Sequence, residues 1–198
     1  MAQQATTVEQ DLVSVQPSVA SPDTASDTYF PLTLSQSYLW SMHEMFNPVP
    51  LFVIAAKAAI DHSDNNPYRW GQGTEGYATR AASHFGHSFV RENIAFGIRA
   101  MDHEDPRYFR SHSKGAWRRT GYAASRAFVA RSERGGNMPA YSALVAEFAT
   151  PFIAQTWRPE PMSAGREFRS GAMGVGINAA SNVGQEFWPD LRRKLHRH

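Results

Sequence analysis

The chain reads as all-α: a single compact bundle of five or six helices with small-residue packing stripes along their faces. Three observations predict this. Residues 74–101 run without a proline while apolar side chains recur at helical spacing. Start and stop signals bracket the periodic stretches, among them Thr33 followed by Gln36, and Gly135-Gly136. Ala and Gly also fall four residues apart in several places, a spacing that lets two helix backbones approach closely. At 198 residues, 42% hydrophobic and 19% charged, the chain is long enough for one well-filled core and too short for two.

Residues 1–28 are acidic and polar, rich in Ser, Thr, Gln, Asp and Pro, and read as a disordered arm. They have neither a basic n-region nor an apolar h-region, so as written they are not a secretory signal. A helical domain over 29–191 follows, and a basic tail over 192–198. Within the domain, Thr33 and Gln36 make a capping-box pair that opens a first helix, with Leu34, Leu39, Met42 and Phe46 on its apolar face. Asn47 and Pro48 close it. Residues 50–62 read as a second, mostly buried helix, and 63–76 as a loop by their Asn, Pro and Gly content. A long third helix covers 74–101. The fourth is expected over 115–133, ending at the glycine pair, and the fifth over 139–157, with Pro151 as a kink or break. Residues 158–162 are a linker and 163–188 a sixth helix. Its segment 171–180 alternates as a strand would, with Met173, Val175 and Ile177 two apart. The helix reading is preferred because it puts Ala172, Gly176, Ala180 and Gly184 on one packing stripe, as Ala78, Ala82 and Gly86 would be on the third helix.

The formal charge of +2 hides an asymmetry. Residues 1–56 hold no Lys or Arg, whereas residues 57–198 hold all 20 basic residues against 13 acids, a balance of +7. The absence of cysteine excludes disulfides, thiolate metal sites and cysteine nucleophiles. No segment has the ~20 apolar residues a membrane span needs. There is no GxSxG, no P-loop and no dinucleotide fingerprint in context, so no cofactor is implied.

Two polar constellations invite a chemical reading. His84 and His87, three apart, lie about 60° from each other on a helix and can face one metal ion. His103 lies about 24 Å further along and about 160° around, so one helix does not complete the set. The second is Asp102, His103 and Glu104, a crowding of proton-transfer groups. With Asp105 beside them, three acids at a helix C-terminus oppose the helix dipole. The conflict eases if Asp105 caps a new helix that begins at Pro106, with Arg107 and Arg110 pairing to Asp102 and Glu104. Cations offer anion- or partner-binding candidates: Arg118, Arg119 and Arg126 on the fourth helix, and Arg192, Arg193 and Lys194 in the tail.

Five phrases carry a resemblance: 66–80 (NPYRWGQGTEGYATR), 103–111 (HEDPRYFRS), 119–131 (RTGYAASRAFVAR), 139–142 (PAYS) and 182–195 (NVGQEFWPDLRRKL). Together they resemble a family of small helical bacterial proteins with no assigned activity, over the stretch from Pro31 to the C-terminus. Members of that family often begin with a signal peptide, which implies a periplasmic or envelope location; the polar first 28 residues depart from this. The resemblance brings no catalytic residues.

The function expected from these readings is non-enzymatic: an envelope- or membrane-associated, self-associating helical protein that binds other helices, copies of itself, or an anionic membrane surface. The alternatives are an enzyme using Asp102, His103 and Glu104 with His84 and His87, and an anionic-polymer binder that takes nucleic acid through the fourth helix and the tail.

Overall fold

The structure, a computed structural model, describes residues 32–195. The arm expected over 1–28 and the last three residues of the basic tail lie outside the described residues. Six α-helices and a small antiparallel sheet make up the described part.

Helix α1, Leu34–Met45, begins at the expected capping box. The Gln36 amide donates to Thr33 Oγ1 at 3.3 Å, and the Thr33 amide donates to Gln36 Oε1 at 3.0 Å. Helix α2, Pro48–Ser63, starts two residues earlier than expected. Pro48 and Pro50 sit in the first turn, where a missing N–H costs no hydrogen bond. The expectation that α2 is mostly buried is overturned. Only Ile54 and Ala58 turn inward, while Val49, Phe52, Val53 and Ile60 form an exposed apolar stripe.

Helix α3, Gly73–Asp102, is entered through a loop that wraps one side chain. Arg80 is fully buried and donates to the carbonyls of Asn66, Pro67, Gly71 and Gly76 at 2.8–2.9 Å. A Cβ at Gly76 would overlap the Gly71 carbonyl, so glycine is needed where the loop closes on the helix. His103 reverses the chain at the end of α3 with φ 58°, ψ 40°.

The next residues correct two expectations. Asp105 does not cap a helix, and Pro106 does not begin one. Glu104–Asp105 instead form strand β1, which pairs antiparallel with β2, Val129–Ser132, in the register Glu104↔Ser132 and Asp105↔Arg131. Strand β2 also pairs with β3, Asn137–Pro139. The expected fourth helix is therefore cut short: α4 covers Ala116–Ser125 alone. The glycine pair stops no helix; it turns a hairpin, with Gly135 at φ 83° and the Ser132 amide donating to the Gly136 carbonyl at 2.8 Å.

Helix α5, Tyr141–Ala154, runs through Pro151 without ending there. Helix α6, Ala164–Leu195, is continuous over 32 residues and resolves the alternation at 171–180 as helix. It also runs through Pro189, so Arg192, Arg193 and Lys194 are its last turn and not a separate tail.

Helices pack in the order α2, α3, α5, α6, α4, with α1 against α3. The seams are lined by small residues, including Ala58, Ala95, Ala123, Ala146, Ala154 and Ser142. Among them sit buried carboxylates: Glu104, Asp105, Glu147, Glu167 and Glu186.

Candidate interaction surface

The histidines do not gather a metal set. His84 Nε2 donates to Asp61 Oδ2 on α2 at 2.8 Å, and His87, half-buried one turn further along α3, has no part in that bond. Burial lowers the His84 pKa against the upward pull of Asp61. Burial, aided by Lys57 and Arg91, pushes His87 down to about 4. Among the described residues no three His, Asp or Glu side chains are placed to hold one ion.

Asp102, His103 and Glu104 diverge. Asp102 Oδ1 accepts from the Glu104 amide at 3.2 Å, a local turn contact. His103 is exposed and its Nδ1 lies 3.0 Å from Glu133 Oε2. Glu104 points inward and accepts from the amide and hydroxyl of Ser142, at 3.2 and 2.7 Å. Burial raises the pKa of Glu104 and of Asp102, opposed in Glu104 by the Ser142 hydrogen bonds. The arginine pairing expected here is corrected as well. Arg107 binds Asp105 at 2.7 Å, and Arg110 reaches Asp190 and the Glu186 carbonyl. Three neighbours in sequence thus serve three separate contacts, because the reversal at His103 sends their side chains different ways.

The cations also separate. Arg118 is exposed, whereas Arg119 turns inward onto α6, with Nε 2.8 Å from Glu186 Oε1 and Nη1 2.7 Å from Asp190 Oδ2. Arg126 stacks over Tyr122 and donates to Asn137 Oδ1. The fourth-helix arginines therefore form no common face. Arg192, Arg193 and Lys194 are exposed together on the last turn of α6.

The packing stripe is corrected by rotation. Ala172, Gly176, Ala180 and Gly184 are all exposed, and a Cβ at Gly176 or Gly184 would meet nothing within 4 Å. The glycines that do pack are Gly171 and Gly174. A side-chain carbon at Gly171 would strike Phe148, and one at Gly174 would overlap the Glu147 carboxylate. Satisfying buried acids sets this rotation. Glu167 accepts from Gln155 just beyond α5, Glu186 meets Arg119 on α4, and Gly174 leaves room for the Glu147 carboxylate, so α6 presents this edge inward.

The residues that reading by motif missed are these latches. Glu186 is wholly buried; its Oε2 accepts from the Tyr108 hydroxyl and the Ser111 amide, both at 3.0 Å. Burial alone would raise its pKa, but the Ser111 amide, Arg119 and Tyr108 outweigh it and the net shift is downward. Tyr108 moves the opposite way, raised by burial and by the Glu186 charge. The phrase 103–111 thus meets 182–195 at Glu186, 139–142 meets 103–111 at Glu104, and 66–80 closes on Arg80. An acid alone in a small and apolar helix, as Glu147 is in α5, was the available signal.

The outside carries many large apolar side chains. Trp117, Phe52, Val49, Phe168, Met173, Trp188 and Leu191 are all more than half exposed. A shallow groove on α3 has Thr79, Ala82, Ser83 and Gly86 near Trp70, Phe89 and Trp157, with the Trp157 indole N–H donating to Ser83 at 3.1 Å. No described helix is long and apolar enough to cross a membrane. No family model, curated protein or solved structure matches this chain.

Proposed function

We propose that this protein is a non-enzymatic, membrane-associated helical interaction protein that works through its apolar outer faces. One observation carries the reading: many large apolar side chains lie on the surface, while the seams hold small residues and buried carboxylates. Fully burying an aliphatic or aromatic side chain contributes about 1.5–3 kcal/mol. Phe52, 74% exposed, and Trp188, 60% exposed, forgo most of that within the chain. The seams are instead held by small residues and latched charges, the means by which helices associate where the surroundings are themselves apolar. Contiguous exposed apolar surface of this kind marks contact with a membrane or with another protein.

Flotation with liposomes, read beside sedimentation velocity, tests this. The protein is expected to rise with vesicles and to self-associate in their absence. A strict monomer that stays in the aqueous fraction with vesicles of every composition overturns the reading.

A further inference from the structure

The outward face of α6 combines an exposed apolar stripe with exposed cations on both of its flanks. Met173, Ile177, Trp188 and Leu191 are 63%, 48%, 60% and 52% exposed. With Ala180 and Gly184 between them they fall within an arc of about 80° over about 27 Å of helix. Arg169 and Lys194 lie on one flank of that arc and Arg192 on the other, all exposed. None of the three joins an ion pair among the described residues. The acids of this helix are already engaged: Glu167 and Glu186 are buried and latched, and Asp190, 33% exposed, is paired with Arg119 and Arg193.

We infer that this face of α6 docks on an anionic lipid bilayer, lying in the plane of the interface with Ile177, Trp188 and Leu191 toward the acyl chains. The inference rests on the membrane reading proposed above and names its lipid and its contact face. Long cationic side chains reach outward from an apolar stripe to headgroups, and an indole suits the boundary between headgroup and chain. Charge decides against a second copy as the occupant. A parallel pair of α6 helices sets Arg192 and Lys194 against themselves, and an antiparallel pair sets Arg169 against the Lys194 end. Neither arrangement offers a free carboxylate in return. An anionic surface answers all three cations at once.

The absence of native cysteine makes the test direct, since single-cysteine variants label at one place. I177C and L191C carry an environment-sensitive fluorophore on the stripe, F52C carries it on α2, and G136C on the hairpin turn. With phosphatidylglycerol-containing vesicles, the probes at 177 and 191 are expected to shift blue and to lose access to an aqueous quencher, while the hairpin probe does not change. At about 1 kcal/mol per cation near an anionic surface, partition should be on the order of 100-fold tighter than onto pure phosphatidylcholine. R169Q/R192Q/K194Q, altered only at exposed positions that join no ion pair among the described residues, should lose that preference, as should the native chain at high salt. Flotation with unchanged probes at 177 and 191, or with the change at 52 instead, overturns the α6 assignment and leaves the membrane reading standing. Equal partition onto both vesicles overturns the anionic lipid. A vesicle-free, concentration-dependent blue shift means that a second copy covers the face. No flotation on any vesicle overturns both readings.

Discussion

Arg119 grips Glu186 twice: its Nε lies 2.8 Å from the Glu186 carboxylate and its Nη2 lies 2.8 Å from the carbonyl oxygen of the same residue. One guanidinium thereby fixes both the side chain and the backbone of α6 against α4. Removing one partner of a buried ion pair typically costs about 3–5 kcal/mol, because the other charge is left buried. Arg119 is partly exposed, so R119M should fall toward the lower end, about 3 kcal/mol, in urea unfolding. A loss below about 1 kcal/mol would show that the latch does not hold the helices together.

The Arg80 cradle makes a parallel prediction with a sharper control. Four carbonyls converge on one planar fork, and a lysine ammonium has neither the geometry nor the donors to replace it. R80K should therefore destabilise by about 2–4 kcal/mol despite keeping the charge, through buried carbonyls left unpaired. Hydrogen exchange should show the loop over 64–72 opening first. If R80K matches the native chain, charge alone is what the loop needs.

Glycines on α6 should respond oppositely according to their face. G174A forces a side-chain carbon into the Glu147 carboxylate and should destabilise by about 2 kcal/mol or more. G176A and G184A meet open space and should stabilise by up to about 1 kcal/mol, the helix-propensity difference between Gly and Ala. Thermal melts of the three single variants check the sign in each case.

Acidification should weaken the fold in two windows. His87, with a folded pKa of about 4 against an ordinary value of 6.5, binds its proton more readily when unfolded. Its contribution is complete above pH 6.5 and is lost as pH falls toward 4, up to about 2–3 kcal/mol at pH 4.5. His84 acts in the same direction. Glu186 and Asp190, both lowered, hold their contribution above their unfolded values and lose it as pH falls through the folded ones. Glu104 and Asp102, both raised, partly offset this by favouring the protonated folded state. In urea titrations, H87N should shrink the upper window to the part that His84 contributes and leave the lower one unchanged.

Substitutions on the outside and in the seams should also diverge. F52S, at a side chain 74% exposed, should leave the free energy of unfolding in urea within about 0.5 kcal/mol of native. A58L, at a fully buried alanine between α2 and α3, should cost about 1–3 kcal/mol by overpacking. A large loss in F52S would mean that this side chain is covered within the chain.

What the sequence made legible was local. The Thr33–Gln36 box, the long helix from about 74 to 101 and the helical state of 171–180 depend on neighbours within four residues, and all three are present. What it hid depends on partners far along the chain. Strand β1 exists because residues near 131 pair with it, which no window around Asp105 contains. The helical rotation of α6 follows from where Glu147 and Arg119 lie, so the small-residue spacing was visible while its packed edge was not. An apolar run such as 49–60 has the same pattern whether it faces inward or outward, and here it faces outward. The cluster at Asp102, His103 and Glu104 dispersed for a related reason: adjacency in sequence becomes divergence once a strand begins.

Helix α6 meets α5 through Gly171 and Gly174 and meets α4 with its preceding loop through Glu186 and Asp190. It therefore splints two helices that are joined to each other through the β2–β3 hairpin, while its own covalent tie is the short stretch 155–163 between α5 and α6. Nicking that stretch would leave two pieces still clasped by the Glu186 latch and by the close seat of Gly171 and Gly174 on α5, so the two pieces, made as separate polypeptides, should find one another and reconstitute the native form.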